Sequence, residues 1–106
     1  FTMEMPFYSA RLKSHFGIDT LVPGEAARKT IHRVIYEELC HGTVLESSRR
    51  LYLEIIDDLR REGAEAVIEG CTEIVMLVQQ PHTDVPLYDT TDLHVSATAE
   101  FMLSDA

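Results

Sequence analysis

The residues best suited to chemistry in this sequence are Cys71 and the two polar residues that follow it. Cys71 comes after Gly70, at the end of a short apolar run typical of a buried strand and just before an apolar segment that can begin a helix. The free N–H groups and positive dipole end of a helix stabilise a thiolate. Thr72 and Glu73 carry side chains that are favoured in a first helical turn. This order predicts a reactive thiol whose pKa is lowered.

Both Cys71 and Glu73 also have ordinary structural roles open to them. A free cysteine commonly behaves as a small buried hydrophobe, although polar Thr72 and Glu73 argue against a purely apolar environment here. Glu73 either orients the thiol or binds an ammonium group, or it is simply a favourable charge in the first helical turn. The residues alone leave these alternatives open.

The elements that must position these residues alternate along the chain, which predicts a parallel sheet covered by helices. We expect strands over residues 18–22, 66–68 and 85–88, and a short helix beginning in the apolar segment 74–78. Longer helices are expected over residues 4–16, 25–40, 43–62 and 93–103. Ligands of such sheets bind beyond the carboxyl ends of the strands, where Cys71 and Asp89 both lie.

Composition excludes several classes of function. The 106 residues predict one domain, and the net charge of −9 without a cluster of Lys or Arg argues against nucleic-acid binding. No apolar run approaches the roughly 20 residues that span a bilayer, so we expect no membrane insertion. Two cysteines do not form a disulfide framework, and a cytoplasmic location is therefore expected.

The sequence contains little evidence for a metal site or a cofactor site. Asp89, Asp92 and His94 lie close together, with His82 and Asp84 upstream, but this spacing matches no zinc or calcium motif. Helix capping and solvation explain the same residues. The sequence has no Gly-rich phosphate loop and no lysine suited to a pyridoxal Schiff base. We therefore expect neither a metal nor a cofactor.

Blocks along nearly the whole chain resemble the cofactor-independent aspartate/glutamate racemase family, in particular its aspartate racemases and broad-specificity amino-acid racemases. Gly70-Cys71-Thr72-Glu73-Ile74 is similar to the second cysteine motif of that family. The other blocks are Thr2-Met3-Glu4, Phe7-Tyr8, Arg11-Leu12, Tyr36-Glu37-Glu38-Leu39-Cys40-His41-Gly42 and Val85-Pro86-Leu87-Tyr88-Asp89-Thr90-Thr91-Asp92-Leu93-His94. Their joint occurrence in this order is specific, whereas Gly-Cys-Thr alone is not.

The resemblance implies a three-layer α/β fold, with a parallel sheet flanked by helices, in one of two similar domains. Residues 1–106 would form the C-terminal domain, without its leading strand and without the N-terminal domain. The resemblance also implies that two thiols on opposite faces of Cα racemise an amino acid. Cys71 would supply one thiol, and the missing domain would supply the other. Cys40 is expected to be a core residue on the last turn of the amphipathic helix 25–40. An exposed sheet edge favours self-association, and we expect a homodimer.

Four residues are expected to bind the amino-acid substrate: Thr2, His41, Thr72 and Glu73. The resemblance places Thr2 at the mouth of the cleft, although a helix cap is the commoner role for such a residue. Thr72 and the neighbouring amides would hold the α-carboxylate. His41 lies near the point where family members that prefer acidic substrates carry a lysine, and it equally suits a helix C-terminus. This departure does not favour strict aspartate specificity.

Alternative functions on the same scaffold are those of hydantoin racemases, maleate isomerases and malonate decarboxylases. A different class is a non-catalytic fragment that binds a small molecule. The reactivity of Cys71 distinguishes the two classes, because a buried structural thiol is inert.

Overall fold

A computed structural model describes residues 2–104 and shows a mixed α/β chain; the side chain of Thr2 lies outside the described part. The α-helices are α1 (Pro6–Phe16), α2 (Glu25–Glu37), α3 (Glu46–Arg61), α4 (Ile74–Leu77) and α5 (Thr90–Leu103). The strands are β1 (Val67–Glu69) and β2 (Leu87–Asp89). Single 3-10 turns are formed by Thr2–Glu4, Leu39–His41 and Gln80–His82.

The two strands pair in parallel, as the alternation of elements predicts. Val67 lies opposite Leu87, and Glu69 lies opposite Asp89. Val67 and Leu87 pack against the core. Because side chains alternate along a strand, Glu69 and Asp89 belong to that same side of the sheet. The α/β class is confirmed, whereas the described residues form a two-stranded sheet and the three-layer sheet is not confirmed.

The predicted strand over residues 18–22 is wrong. Gly17 takes the left-handed conformation, with φ of 66°, and the N–H of Ile18 donates to the Leu12 carbonyl at 3.2 Å, which ends α1. Residues 18–22 then run without regular structure, and Ile18, Leu21 and Val22 are exposed. An apolar segment becomes a strand only when a neighbouring strand pairs with it, and none lies beside this segment in the described chain.

Helix ends follow local hydrogen bonds more closely than the apolar pattern does. Helix α5 begins at Thr90, earlier than the predicted residue 93, because the Asp89 carboxylate accepts from the N–H groups of Thr91 and Asp92 at 2.9 and 3.3 Å. Helix α2 ends at Glu37 and is followed by the tighter turn Leu39–His41. Gly42 closes that turn with φ of 76°.

The core lies between α2, α3, α4 and the sheet. Its buried apolar residues are Val34, Leu39, Tyr52, Ile56, Leu77, Val78 and Val85. Arg49 donates from Nε to the Leu77 carbonyl at 2.7 Å and so joins α3 to α4. The predicted core position of Cys40 is wrong, because the turn directs Leu39 inward and leaves Cys40 exposed.

Helices α1 and α5 contribute little to this core. Neither contains a buried residue, and α5 leaves Phe101, Met102 and Leu103 exposed. Across residues 2–104, every helix is too short or too polar to cross a bilayer.

Candidate active site

Cys71 lies in the turn between β1 and α4, at the carboxyl end of a parallel strand, as the sequence predicts. The Cys71 carbonyl accepts from the N–H of Ile74 at 3.2 Å, so the turn closes directly onto the start of α4. The thiol is partly buried. This position combines access for a ligand with partial exclusion of water.

Cys71, Thr72 and Glu73 form one hydrogen-bonded group. The Cys71 thiol donates to Glu73 Oε2, with Sγ and Oε2 separated by 2.8 Å. The Thr72 hydroxyl donates to the same oxygen at 3.0 Å. The Glu73 carboxylate therefore holds the thiol in one orientation and keeps its proton on sulfur.

The thiol pKa moves in the opposite direction to the one predicted. Burial raises the pKa of Cys71, the hydrogen bond to Glu73 raises it further, and the backbone N–H groups of Glu73 and Ile74 oppose the rise. The hydrogen bond from Cys71 in turn lowers the pKa of Glu73. The predicted lowering of the thiol pKa is wrong because α4 has only four residues, while a carboxylate lies against the sulfur. Cys71 is a neutral thiol at neutral pH.

We expect alkylation of Cys71 to titrate above the pKa of an ordinary free cysteine, and Glu73→Gln to lower that midpoint. The substitution removes the negative charge that disfavours a thiolate, so the sign follows from charge repulsion. Rates of modification by iodoacetamide at a series of pH values, read at each cysteine by peptide mass spectrometry, measure both midpoints. Exposed Cys40 serves as the internal reference for reagent reactivity. An unchanged Cys71 midpoint in Glu73→Gln would contradict the assigned cause.

Two further ionisable residues lie near this turn and were not singled out in the sequence. Burial raises the pKa of Tyr52, and the charge of a Cys71 thiolate adds to the rise. Tyr52, on α3, is therefore close enough to the Cys71 sulfur to feel its charge. Glu69 is 5% exposed, and burial followed by the charge of Asp89 raises its pKa to about 7. A signal for Glu69 was present, because it is an acidic residue directly after the predicted buried strand 66–68.

No described hydrogen bond or ion pair joins the remaining predicted substrate residues to the cysteine turn. His41 is exposed in the turn Leu39–His41, and that turn packs against α4. Thr2 begins the turn Thr2–Glu4, which is tied to α2 by a 2.6 Å bond from Arg28 Nε to Glu4. Thr2 and His41 stay predictions.

Two surface concavities of the described residues lie away from Cys71. One lies between residues 23–27 and the C-terminal half of α3, and another lies between α1 and residues 18–20. Within residues 2–104, no three His, Cys, Asp or Glu side chains are arranged to hold a metal ion. Asp89, one of the residues weighed as a metal ligand, instead caps α5.

The family of this chain follows from comparison with known proteins. A family model of the Asp/Glu/hydantoin racemases matches residues 1–98. The chain belongs to the Asp/Glu/hydantoin racemase family. It is also similar to the crystal structure of a provisionally named Asp/Glu racemase from Yersinia pestis, with a TM-score of 0.89 and 43% identity.

The match to the Yersinia protein covers 97% of this racemase-family chain but 45% of that protein. The chain therefore spans less than half the length of its structural neighbour. Together the two matches confirm the family resemblance carried by the sequence blocks.

Proposed function

We propose that this chain is the part of a cofactor-independent amino-acid racemase that contributes one of two acid–base thiols, Cys71. The observation that carries the proposal is the thiol–carboxylate hydrogen bond from Cys71 to Glu73, located at the carboxyl end of β1 in a chain of the racemase family. Loss of racemisation on Cys71→Ser substitution, compared with a matched Cys40→Ser variant, tests this function.

Racemisation requires removal of the weakly acidic Cα proton from one face and delivery of a proton to the other. In the protonation state described above, Cys71 is the proton donor. A thiolate on the opposite face takes the substrate proton, and Cys71 then gives its own proton to the Cα carbanion and becomes a thiolate. The enzyme takes up one proton and gives one proton in each turnover, so its total number of protons is unchanged. In the reverse reaction the two thiols exchange roles.

Glu73 acts in this mechanism by orienting the thiol. Its Oε2 accepts from both Cys71 and Thr72, which fixes the direction of the S–H bond relative to the turn. The exposure of Thr72 supports a second role, in which its hydroxyl turns from Glu73 to donate to the substrate α-carboxylate, beside the backbone amides of the turn. These groups also stabilise the negative charge that develops as the proton leaves.

We propose that the second thiol comes from a domain outside this chain. The other cysteine present, Cys40, is exposed in the turn Leu39–His41 after α2. The chain also spans only 45% of its structural neighbour. A homodimer and a cytoplasmic location belong to the same proposal and rest on the sequence arguments alone.

His41 is proposed to influence the choice of substrate. His41→Lys should increase activity on aspartate and glutamate relative to neutral amino acids, because a permanent cation attracts a side-chain carboxylate. His41→Leu should shift the preference toward neutral substrates. The ratio of kcat/KM values across these substrates measures the effect, and an unchanged ratio in both variants would leave His41 as a helix-end residue.

The raised pKa of Cys71 favours one alternative, a non-catalytic module that binds a small molecule and keeps the thiol inert. Thermal stabilisation by amino acids without turnover, together with slow alkylation of Cys71 at every pH, would favour that module. Hydantoins belong in the substrate panel because the family includes hydantoin racemases.

A further inference from the structure

Glu69 is a buried acid that the proposed mechanism does not use. It ends β1, two residues before Cys71, and only 5% of its surface is exposed. Its Oε2 atom is fully buried and has no hydrogen-bond partner in the described part of the chain. Buried polar atoms are nearly always paired, so this oxygen requires an explanation.

The nearest candidate partner is Asp89, the residue opposite Glu69 in the parallel pair. Neighbouring strands lie about 4.8 Å apart, and paired residues direct their side chains to the same side of the sheet. The strand ends are further joined by Thr90, whose hydroxyl donates to the Glu69 carbonyl at 3.3 Å. Two carboxyl groups are therefore held side by side beneath the turn that carries Cys71.

The two carboxyl groups have different surroundings. Asp89 uses Oδ1 to accept from two N–H groups at the start of α5, an arrangement that suits a carboxylate. Glu69 receives no such donor at Oε2. A single proton shared by the pair therefore resides on Glu69. A protonated Glu69 can then donate a hydrogen bond from its buried Oε2 to the Asp89 carboxylate.

We propose that Glu69 is a positioning residue: a neutral carboxylic acid that donates a hydrogen bond to Asp89, joins the ends of β1 and β2, and thereby holds the turn that carries Cys71. Ionisation of Glu69 would place two like charges at adjacent strand ends and loosen that turn. The effect of Glu69 on catalysis rests on the proposed function of Cys71. The hydrogen bond between Glu69 and Asp89 is independent of that function.

The pH dependence follows from the charged groups around Glu69. Burial and the Asp89 carboxylate across the strand pair raise its pKa from 4.5 to about 7. In the turn that follows β1, two residues after Glu69, Cys71 is a neutral thiol in this range. Because the folded state binds the proton more tightly, the stabilisation is fully present below pH 4.5 and is lost as the pH rises through about 7.

Direct titration of the carboxyl group tests the pair without any activity assay. In the chain labelled with ¹³C at glutamate side-chain carboxyls, one resonance should titrate near pH 7, and Glu69→Gln should remove it. Asp89→Asn, which keeps a helix-capping side chain, should move the midpoint toward 4.5. Glu65→Gln, at an exposed glutamate just before β1, is the matched control and should leave the resonance in place. A Glu69 midpoint near 4.5 in the unsubstituted chain would overturn the proposal, even if the variants fail to fold.

The positioning role is tested by the alkylation rate of Cys71 in a Cys40→Ser background. The profile of rate against pH should show an inflection near pH 7 in addition to the titration of the thiol, and Glu69→Gln should remove that inflection while Glu65→Gln keeps it. Identical profiles in all three proteins would overturn the positioning role. Failure of Cys71→Ser to reduce racemisation would remove the catalytic function and leave the carboxyl titration unchanged, so the two failures are distinguishable.

Discussion

Substitution of Cys71 by serine should abolish racemisation while leaving the fold nearly as stable as before. General acid–base catalysis by one group contributes roughly 10²–10⁴-fold to a rate, and a serine hydroxyl is too weak an acid to replace the thiol. Serine is close to cysteine in size, and Cys71 is only partly buried. The free energy of unfolding should therefore change by less than about 1 kcal/mol. Chiral chromatography of L-aspartate, L-glutamate, neutral amino acids and hydantoins in the full-length protein measures the loss.

The matched control is Cys40→Ser, which makes the same chemical change at an exposed position in the turn Leu39–His41. It should leave both turnover and melting temperature unchanged. Near-normal turnover in Cys71→Ser would exclude Cys71 as an acid–base group. A fall in stability as large as that from a core cavity, about 2–5 kcal/mol, would show that the thiol is structural.

The 106-residue chain on its own should not racemise amino acids. The proposed mechanism needs two thiols on opposite faces of one Cα, and the described chain presents only Cys71 at the carboxyl end of the strands. Loss of correctly placed reacting groups raises a barrier by about 7–11 kcal/mol, which leaves no detectable rate. Exchange of the Cα proton in heavy water, followed by NMR with L-aspartate, L-glutamate and neutral amino acids, measures the remaining activity.

Stereochemistry must be determined in the same experiment, because a single base can exchange the proton with retention. Exchange with inversion at an enzymatic rate, lost when Cys71 is alkylated, would show that this chain forms a complete active site. Measurement at several protein concentrations would then show whether two copies of the chain share that site. No exchange, or exchange with retention alone, is the expected result.

The position of Cys71 could be predicted because its signals are local. Gly70, the preceding apolar run and the following polar pair all act within a few residues, and the structure has the strand, turn and helix start in that order. The parallel pairing of β1 with β2 was also predictable, since helical segments separate the apolar runs. Residues 18–22 could not be predicted in this way, because strand formation depends on a neighbour elsewhere in the structure.

The protonation of the candidate site was decided by tertiary structure. The sequence predicts an activated thiolate from the adjacent helix start, but α4 is too short to dominate. Burial of the thiol, followed by its hydrogen bond to Glu73, raises the thiol pKa instead. Likewise, the pKa of Glu69 rises to about 7 because folding buries its carboxyl group and because β2 places Asp89 beside it.

Residue types and their spacing determine the order of elements, the location of the reactive turn and the family, because these depend on short-range geometry and on motifs. The charge state of the same residues depends on water exclusion and on fields from groups far away in the chain, such as Asp89 for Glu69. Those contributions exist only once the chain has folded, which is why the sequence locates the chemistry and the tertiary structure sets the proton affinities of its groups.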